Sequence, residues 1–169
     1  NNVLDISKIE SDELQLSQEN FDLVNLIEEM VKLMQSRSSE RSLKLKWDID
    51  PALAKTYKGD VVRIRQILFN VLGNAIKFTE KGSIEIKTKL VEVRDNKHFL
   101  EITVTDTGIG MSKDFLKKIY DKFSQEKTSD DQRSIGSGLG MPITKELVKL
   151  MGGDINIQSE KDKGTEVAI

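Results

Sequence analysis

The feature that most limits how this chain can fold is a change of hydrophobic period at Gly82. Upstream, apolar residues recur at steps of three and four; downstream, they alternate with charged ones. A chain that does both needs helices and strands in separate layers, so the expected architecture is an α/β (α+β) two-layer sandwich. It has one mixed, largely antiparallel sheet packed against one layer of helices. Before Gly82, the residues Phe21, Val24, Ile27, Val31 and Met34 share one helical face, which fades in the Ser/Arg-rich stretch 36–42. Leu43, Leu45 and Trp47 alternate with charged residues and Pro51 ends the run, as in a half-buried strand. Asp60 is placed to cap a helix running to about Phe78, with Ile64, Ile67, Leu68, Val71 and Ala75 as its buried stripe. After Gly82, Ile84, Ile86 and Thr88 alternate to about Val93, residues 94–97 turn the chain, and 99–105 return as the partner strand. Ser112 can cap a short helix carrying Phe115, Leu116 and Ile119. Residues 124–134 hold almost nothing apolar and predict an exposed, mobile loop. A helix from about Pro142 to Met151 and two last strands complete the pattern.

Composition removes several function classes. Lys and Arg number 26 against 28 Asp and Glu, so the basic excess of a phosphate-neutralising nucleic-acid binder is absent. Without Cys there is no disulfide, thiolate nucleophile or thiolate metal site, and a single His removes any multi-His metal centre. No uncharged apolar run approaches a membrane span, and the polar start Asn1-Asn2 does not read as a signal peptide. These counts predict a soluble domain without membrane contact, in a reducing compartment or indifferent to redox.

Chemistry concentrates in three places. Of the 11 glycines, Gly108 and Gly110 form one cluster and Gly136, Gly138 and Gly140 another. The first lies in Asp106-Thr107-Gly108-Ile109-Gly110-Met111, directly after a predicted strand. A carboxylate at a strand end can accept from an exocyclic amine, while glycines admit a flat ring close to the backbone. The second, Gly136-Ser137-Gly138-Leu139-Gly140, leads into Pro142 at an expected first helical position. Backbone N–H groups of such a loop, with a helix N-terminus, suit phosphates. On the helix from Asp60, Asn70 and Asn74 share a face that Lys77 and Phe78 extend. Amide oxygens suit a hard divalent cation that already carries phosphate oxygens. Lys77 can then meet a phosphate, and Phe78 can pack on a sugar or base.

The order and spacing of these elements resemble the catalytic, ATP-binding domain of two-component sensor histidine kinases. Its fold, of the Bergerat type, is shared with gyrase, heat-shock-90 chaperones and mismatch-repair ATPases. The resemblance covers nearly the whole chain: an N box (66–79, QILFNVLGNAIKFT), a first glycine box (DTGIGM), an F box (119–123, IYDKF) and a second glycine box (GSGLGM). Gly164-Thr165 is similar to the last glycine box. Residues 1–16 look like the end of the second helix of a preceding dimerisation domain, leaving 17–169 as the catalytic domain. The resemblance implies ATP and Mg²⁺ as cofactors, with Asn74 the first metal ligand and Asn70 its helper. It implies that Asp106 accepts from the adenine amine, in a pocket shaped by Gly108, Ile109, Gly110 and Met111. Gly136, Ser137, Gly138, Leu139 and Gly140 would close over the phosphates, with Lys77 and Arg133 adding charge and Thr165 at the edge of the site. Tyr120 and Phe123 would belong to the box that positions the lid. Tyr120 stands where Phe is usual, Lys122 where Pro is common, and Pro142 where a small residue is usual.

Asn70 separates the branches. In the chaperone and gyrase branches a Glu four residues before the metal-binding Asn activates water; an amide here cannot act as a general base. The resemblance therefore implies transfer of the γ-phosphoryl group to a His, with Asn70 and Lys77 at the reacting end. The alternatives are a Ser-directed kinase of the anti-sigma type or an ATP-hydrolysing member of the same fold. His98, the sole His, lies beside a predicted hairpin turn and is expected to be exposed and structural. The acceptor is thus expected on the separate dimerisation domain, with a response-regulator receiver domain downstream. The 169 residues by themselves are expected to be monomeric and cytoplasmic, whether or not the parent protein is membrane-anchored.

Overall fold

The chain begins with helix α1 (Asn2–Glu10), shorter than the expected 1–16, because the N–H groups of Glu13 and Leu14 both turn back to the Lys8 carbonyl at 2.9 and 3.2 Å. The computed structural model describes residues 2–11, 13–40, 42–126 and 136–169, without the side chains of 2–4, 10 and 40. Arg133, and all of the expected loop beyond residue 126 up to 134, lie outside the described residues. Strand β1 (Glu19–Phe21) follows and takes up Phe21, so helix α2 (Leu23–Glu40) starts later than its apolar spacing predicts. Asp22 caps it, accepting from the Asn25 N–H at 2.9 Å. The buried face is Leu23, Leu26, Ile27, Met30, Val31 and Met34, and the helix runs on through the Ser/Arg stretch with Ser38 buried.

Strands β2 (Lys44–Asp48) and β3 (Tyr57–Gly59) flank the loop around Pro51. The pairing of β3 with β1 makes a two-stranded sheet too short for periodicity to announce. Helix α3 (Val61–Phe78) starts at its expected cap: Asp60 accepts from the N–H of Arg63 at 3.0 Å and from that of Ser17 at 2.9 Å. Its first turn is also tied to α1, since Arg63 and Gln66 both donate to the Asp5 carboxylate at 2.9 Å.

Strands β4 (Ser83–Arg94) and β5 (Lys97–Asp106) form the expected hairpin. Its turn residues Asp95 and Asn96 both have positive φ, 51° and 59°, as a two-residue hairpin loop matching the strand twist requires. After the short helix α4 (Lys113–Leu116), helix α5 (Gly140–Leu150) leads to β6 (Asn156–Glu160) and β7 (Gly164–Ala168). The five-stranded sheet has the order β2-β4-β5-β7-β6, antiparallel except for the parallel β2–β4 pair. Ile84, Ile86, Val104 and Val167 point from the sheet into a core shared with α2, α3 and α5. Because β2 is an edge strand, Trp47 stays 45% exposed instead of half-buried as its alternation predicts. His98 is half-buried on β5, with its Nδ1 3.2 Å from the Tyr57 hydroxyl, so its ring is not exposed, contrary to what the hairpin position predicts. Among the described residues no helix is long and apolar enough to cross a membrane.

Candidate functional site

Between α3, the N-terminal turn of α5 and the loop after β5 lies a cavity of about 400 Å³. Helix α3 contributes Asn70, Asn74, Lys77 and Phe78, all on the expected face. The post-β5 loop contributes Asp106, Ile109, Gly110 and Met111; the second glycine loop contributes Gly136, Ser137, Gly138 and Gly140; and β7 contributes Thr165. Gly108, Leu139, Tyr120 and Phe123 do not line it.

Asp106 closes the floor at one end. It is buried, and its Oδ1 accepts from the Gly108 N–H at 2.8 Å and from the Thr79 hydroxyl at 3.4 Å. Burial pushes its pKa above the ordinary carboxylate value, against the N–H donors of Gly108 and Thr165 and the Thr79 hydroxyl. Gly108 acts from beneath: a Cβ there would lie 2.4 Å from the Phe78 carbonyl and 2.7 Å from Asp106 Oδ1. Gly110, at φ +60°, lies against the β6–β7 turn, where a Cβ would come within 1.9 Å of the Glu160 carbonyl. Ser159 completes that contact, accepting from the Met111 N–H at 2.9 Å and donating to the Gly164 carbonyl at 2.9 Å. Thr165 is 3.0 Å from the same hydroxyl. Ser159 was not legible in the sequence, because a polar residue on an alternating strand carries no mark of its register. The apolar wall beside Asp106 comes from Val104, Phe115, Ile119, Ile157 and Val167. Of these, Phe115 and Ile119 had a signal, as the apolar residues of the short helix.

The other end is polar. The Asn70 amide nitrogen donates to the Gly140 carbonyl at 3.3 Å and to the Thr144 hydroxyl at 3.2 Å. Lys77 is partly buried, which lowers its pKa, and its Nζ lies 4.7 Å from the Phe78 ring centroid. It reaches the second glycine loop, since a Cβ on Gly136 would be 3.1 Å from that nitrogen. Helix α5 begins at Gly140, two residues ahead of the expectation, so Pro142 is its third residue. Proline is tolerated there because first-turn N–H groups have no intrahelical acceptor. No side chain caps α5, and Gly140, Met141 and Pro142 of its first turn line the cavity. The Gln125 amide bonds the Gly136 carbonyl, and Glu126 accepts from the Ser112 N–H at 3.2 Å.

Tyr120 and Phe123 lie outside the cavity, and only Phe123 meets the second glycine loop. The Tyr120 ring lies under the Lys145 ammonium at 4.3 Å, and burial, aided by Asp154, raises its pKa. Phe123 is 70% exposed; its contribution is a backbone bond from its N–H to the Gly138 carbonyl at 3.1 Å. A Cβ on Gly138 would meet the Phe123 backbone at 2.7 Å. The cleft thus has an apolar slot ending in a buried carboxylate, suited to a flat ring bearing an N–H donor. Its far end, with two amides, a lysine and backbone N–H groups, is suited to an anion.

Comparison with known proteins agrees with this geometry. The family described as "Histidine kinase-, DNA gyrase B-, and HSP90-like ATPase" matches residues 59–169, from β3 to the end of the sheet. Hybrid signal transduction histidine kinase L of Dictyostelium discoideum is 37% identical over 98% of this chain and 10% of its own length. Signal transduction histidine-protein kinase BarA of Escherichia coli (strain K12) is 37% identical over 98% of this chain and 18% of its own. The chain therefore spans only a minor part of these relatives. Full-length ShkA, crystallised with AMPPNP, superimposes with a TM-score of 0.83 at 30% identity, covering 99% of this chain and 34% of that one.

Proposed function

Because this chain belongs to the histidine kinase-, DNA gyrase B- and HSP90-like ATPase family, we propose that it binds Mg·ATP and transfers the γ-phosphoryl group to a His on another domain. The observation that carries this reading is Asn70. Where a hydrolase needs a carboxylate to activate water, this chain has an amide whose nitrogen is occupied by α5. Adenine enters the apolar slot and donates its amino proton to Asp106. The triphosphate extends along α3 to the Gly136–Gly140 loop, where Lys77 and first-turn N–H groups of α5 neutralise it.

The donor set at that end fits a hard cation. The described residues contain no group of three or more His, Cys, Asp or Glu, so the amide oxygens of Asn74 and Asn70 would share the ion with phosphate oxygens and water. Bound there, Mg²⁺ would supply charge neutralisation for the transferring group. In the transfer, the acceptor imidazole nitrogen forms a bond to the γ-phosphorus. The bond from that phosphorus to the β,γ-bridging oxygen breaks, and ADP leaves with the electron pair. The chain's own part is to hold and orient the nucleotide while offering no base to water.

Residues 17–169 form the nucleotide-binding unit, and within 1–16 helix α1 is the end of a helix from the acceptor-bearing dimerisation domain, held on α3 through Asp5. The setting is the cytoplasm, the next partner a response-regulator receiver domain. The test supplies the matching His-bearing domain in trans with γ-labelled ATP. Acid-labile label on that domain is the expected result. No label while ATP still binds would refute the kinase reading, and acid-stable label would move it to Ser.

A further inference from the structure

We infer that Thr144 is a positioning residue for Asn70, fixing which end of its amide faces the phosphate end of the cleft. The inference rests on the reading of Asn70 given above and deepens it. Thr144 is 0% exposed, on the face of α5 that also buries Met141, Ile143, Leu147 and Val148. A valine of the same shape would suit such a place better, because a buried hydroxyl is unfavourable unless it is hydrogen-bonded. Here the hydroxyl is used across the helix interface, 3.2 Å from Asn70 Nδ2.

The second acceptor fixes the assignment. The same nitrogen lies 3.3 Å from the Gly140 carbonyl, and a carbonyl can only accept, so the NH₂ end of the amide must face α5. Its oxygen lies beside the first turn of α5, 3.8 Å from where a Cβ on Gly140 would stand, and among the described residues nothing donates to it. The terminal torsion of Asn is nearly two-fold, so an unrestrained amide takes either orientation. Reversed, it would present NH₂ where an acceptor oxygen is needed for a cation. Both bonds are at the long end of the hydrogen-bond range, so neither acceptor alone holds the amide firmly. Removing one should therefore release it.

The experiment compares Thr144→Val, which keeps the branched shape without the hydroxyl, with Thr144→Ser, which keeps the hydroxyl. ATP affinity is measured by calorimetry in excess magnesium chloride and again in EDTA. Thr144→Val should weaken binding with magnesium by about two- to tenfold, the worth of one neutral hydrogen bond, and leave binding in EDTA unchanged. Thr144→Ser should match wild type in both. A readout without nucleotide is the Asn70 side-chain amide resonance, whose protons should move upfield in Thr144→Val and stay in place in Thr144→Ser. Wild-type affinity for Thr144→Val, equal loss in both buffers, or a Ser variant as weak as the Val variant would overturn the inference. Asn70→Ala separates the two levels. If that variant weakens binding only with magnesium while Thr144→Val does not, the positioning role alone fails. If Asn70→Ala leaves the magnesium dependence intact, the reading of Asn70 fails with it.

Discussion

Asp106→Asn separates recognition of the ring from support of the fold. The substitution keeps the side-chain shape and removes the charge. Oδ1 accepts from Gly108 N–H at 2.8 Å and the Thr79 hydroxyl at 3.4 Å, so in the variant the carbonyl oxygen must stay on that side. The new NH₂ then replaces the other oxygen, and a donor meets the amino group of adenine. A hydrogen bond to a charged group is worth about 1.5–3 kcal/mol, so the ATP dissociation constant should rise roughly ten- to hundredfold. Stability should move differently. Burial raises the Asp106 pKa above the ordinary 3.8, so its contribution to stability is complete below that value and is lost as pH rises through the higher folded one. The neutral amide removes this dependence; the variant should melt no lower at neutral pH, with a flatter profile on going up from acid. Calorimetry with ATP and with inosine triphosphate, which carries a keto oxygen in place of the amine, is the assay. Unchanged ATP affinity, or the same loss for both nucleotides, would show that Asp106 does not read the ring.

Asp60→Ala should lower stability by about 1–2 kcal/mol in denaturant unfolding, because it removes the α3 cap and the tie to Ser17. Burial pushes the Asp60 pKa up, but the Ser17 and Arg63 donors outweigh it, so wild type should lose this stability as pH falls below 3.8, and the variant should not. Gly110→Ala places a Cβ 1.9 Å from the Glu160 carbonyl at a positive φ and should cost about 2–5 kcal/mol of stability, read by the same unfolding. Gly140→Ala should instead gain about 0.4–1 kcal/mol of stability while weakening ATP binding in a titration.

The fold was legible where periodicity runs long. Helix α3, with its cap at Asp60 and four of its expected buried positions (Ile67, Leu68, Val71 and Ala75), and the β4–β5 hairpin, with its polar turn, follow from pattern, whereas Ile64 is only half-buried and Leu72 and Ile76 join the buried face. What escaped was set by partners. Phe21 has the spacing of a helical residue, yet it pairs with Tyr57 across β1 and β3, where the ring centroids are 6.5 Å apart. The start of α2 was misplaced by two residues because the Asp22 cap was hidden behind that apolar neighbour. Trp47 alternates like a buried residue, but alternation cannot say that its strand lies at the edge. The polar contact through Ser159 is equally invisible, since its value depends on β6 lying beside the loop after β5.

The glycine clusters show how sequence and structure divide the site between them. Read as letters, Gly108, Gly110 and Gly140 are alike. Folded, they are glycines for different reasons. Gly108 and Gly110 are required by the protein itself, whose own backbone lies 2.4 and 1.9 Å from where a Cβ would stand. Gly140 has no such constraint. Its φ is not positive, the nearest atom to an added Cβ is Asn70 Cγ at 3.7 Å, and alanine is the better residue in a helix. A glycine that the fold does not need, on the first turn of the helix that walls the cleft, is accounted for by what enters the cleft. It keeps clear the space between Asn70 and the α5 N-terminus, which is where the triphosphate is proposed to lie. Gly108 and Gly110 therefore build the floor and Gly140 leaves room above it, a distinction that spacing alone does not contain.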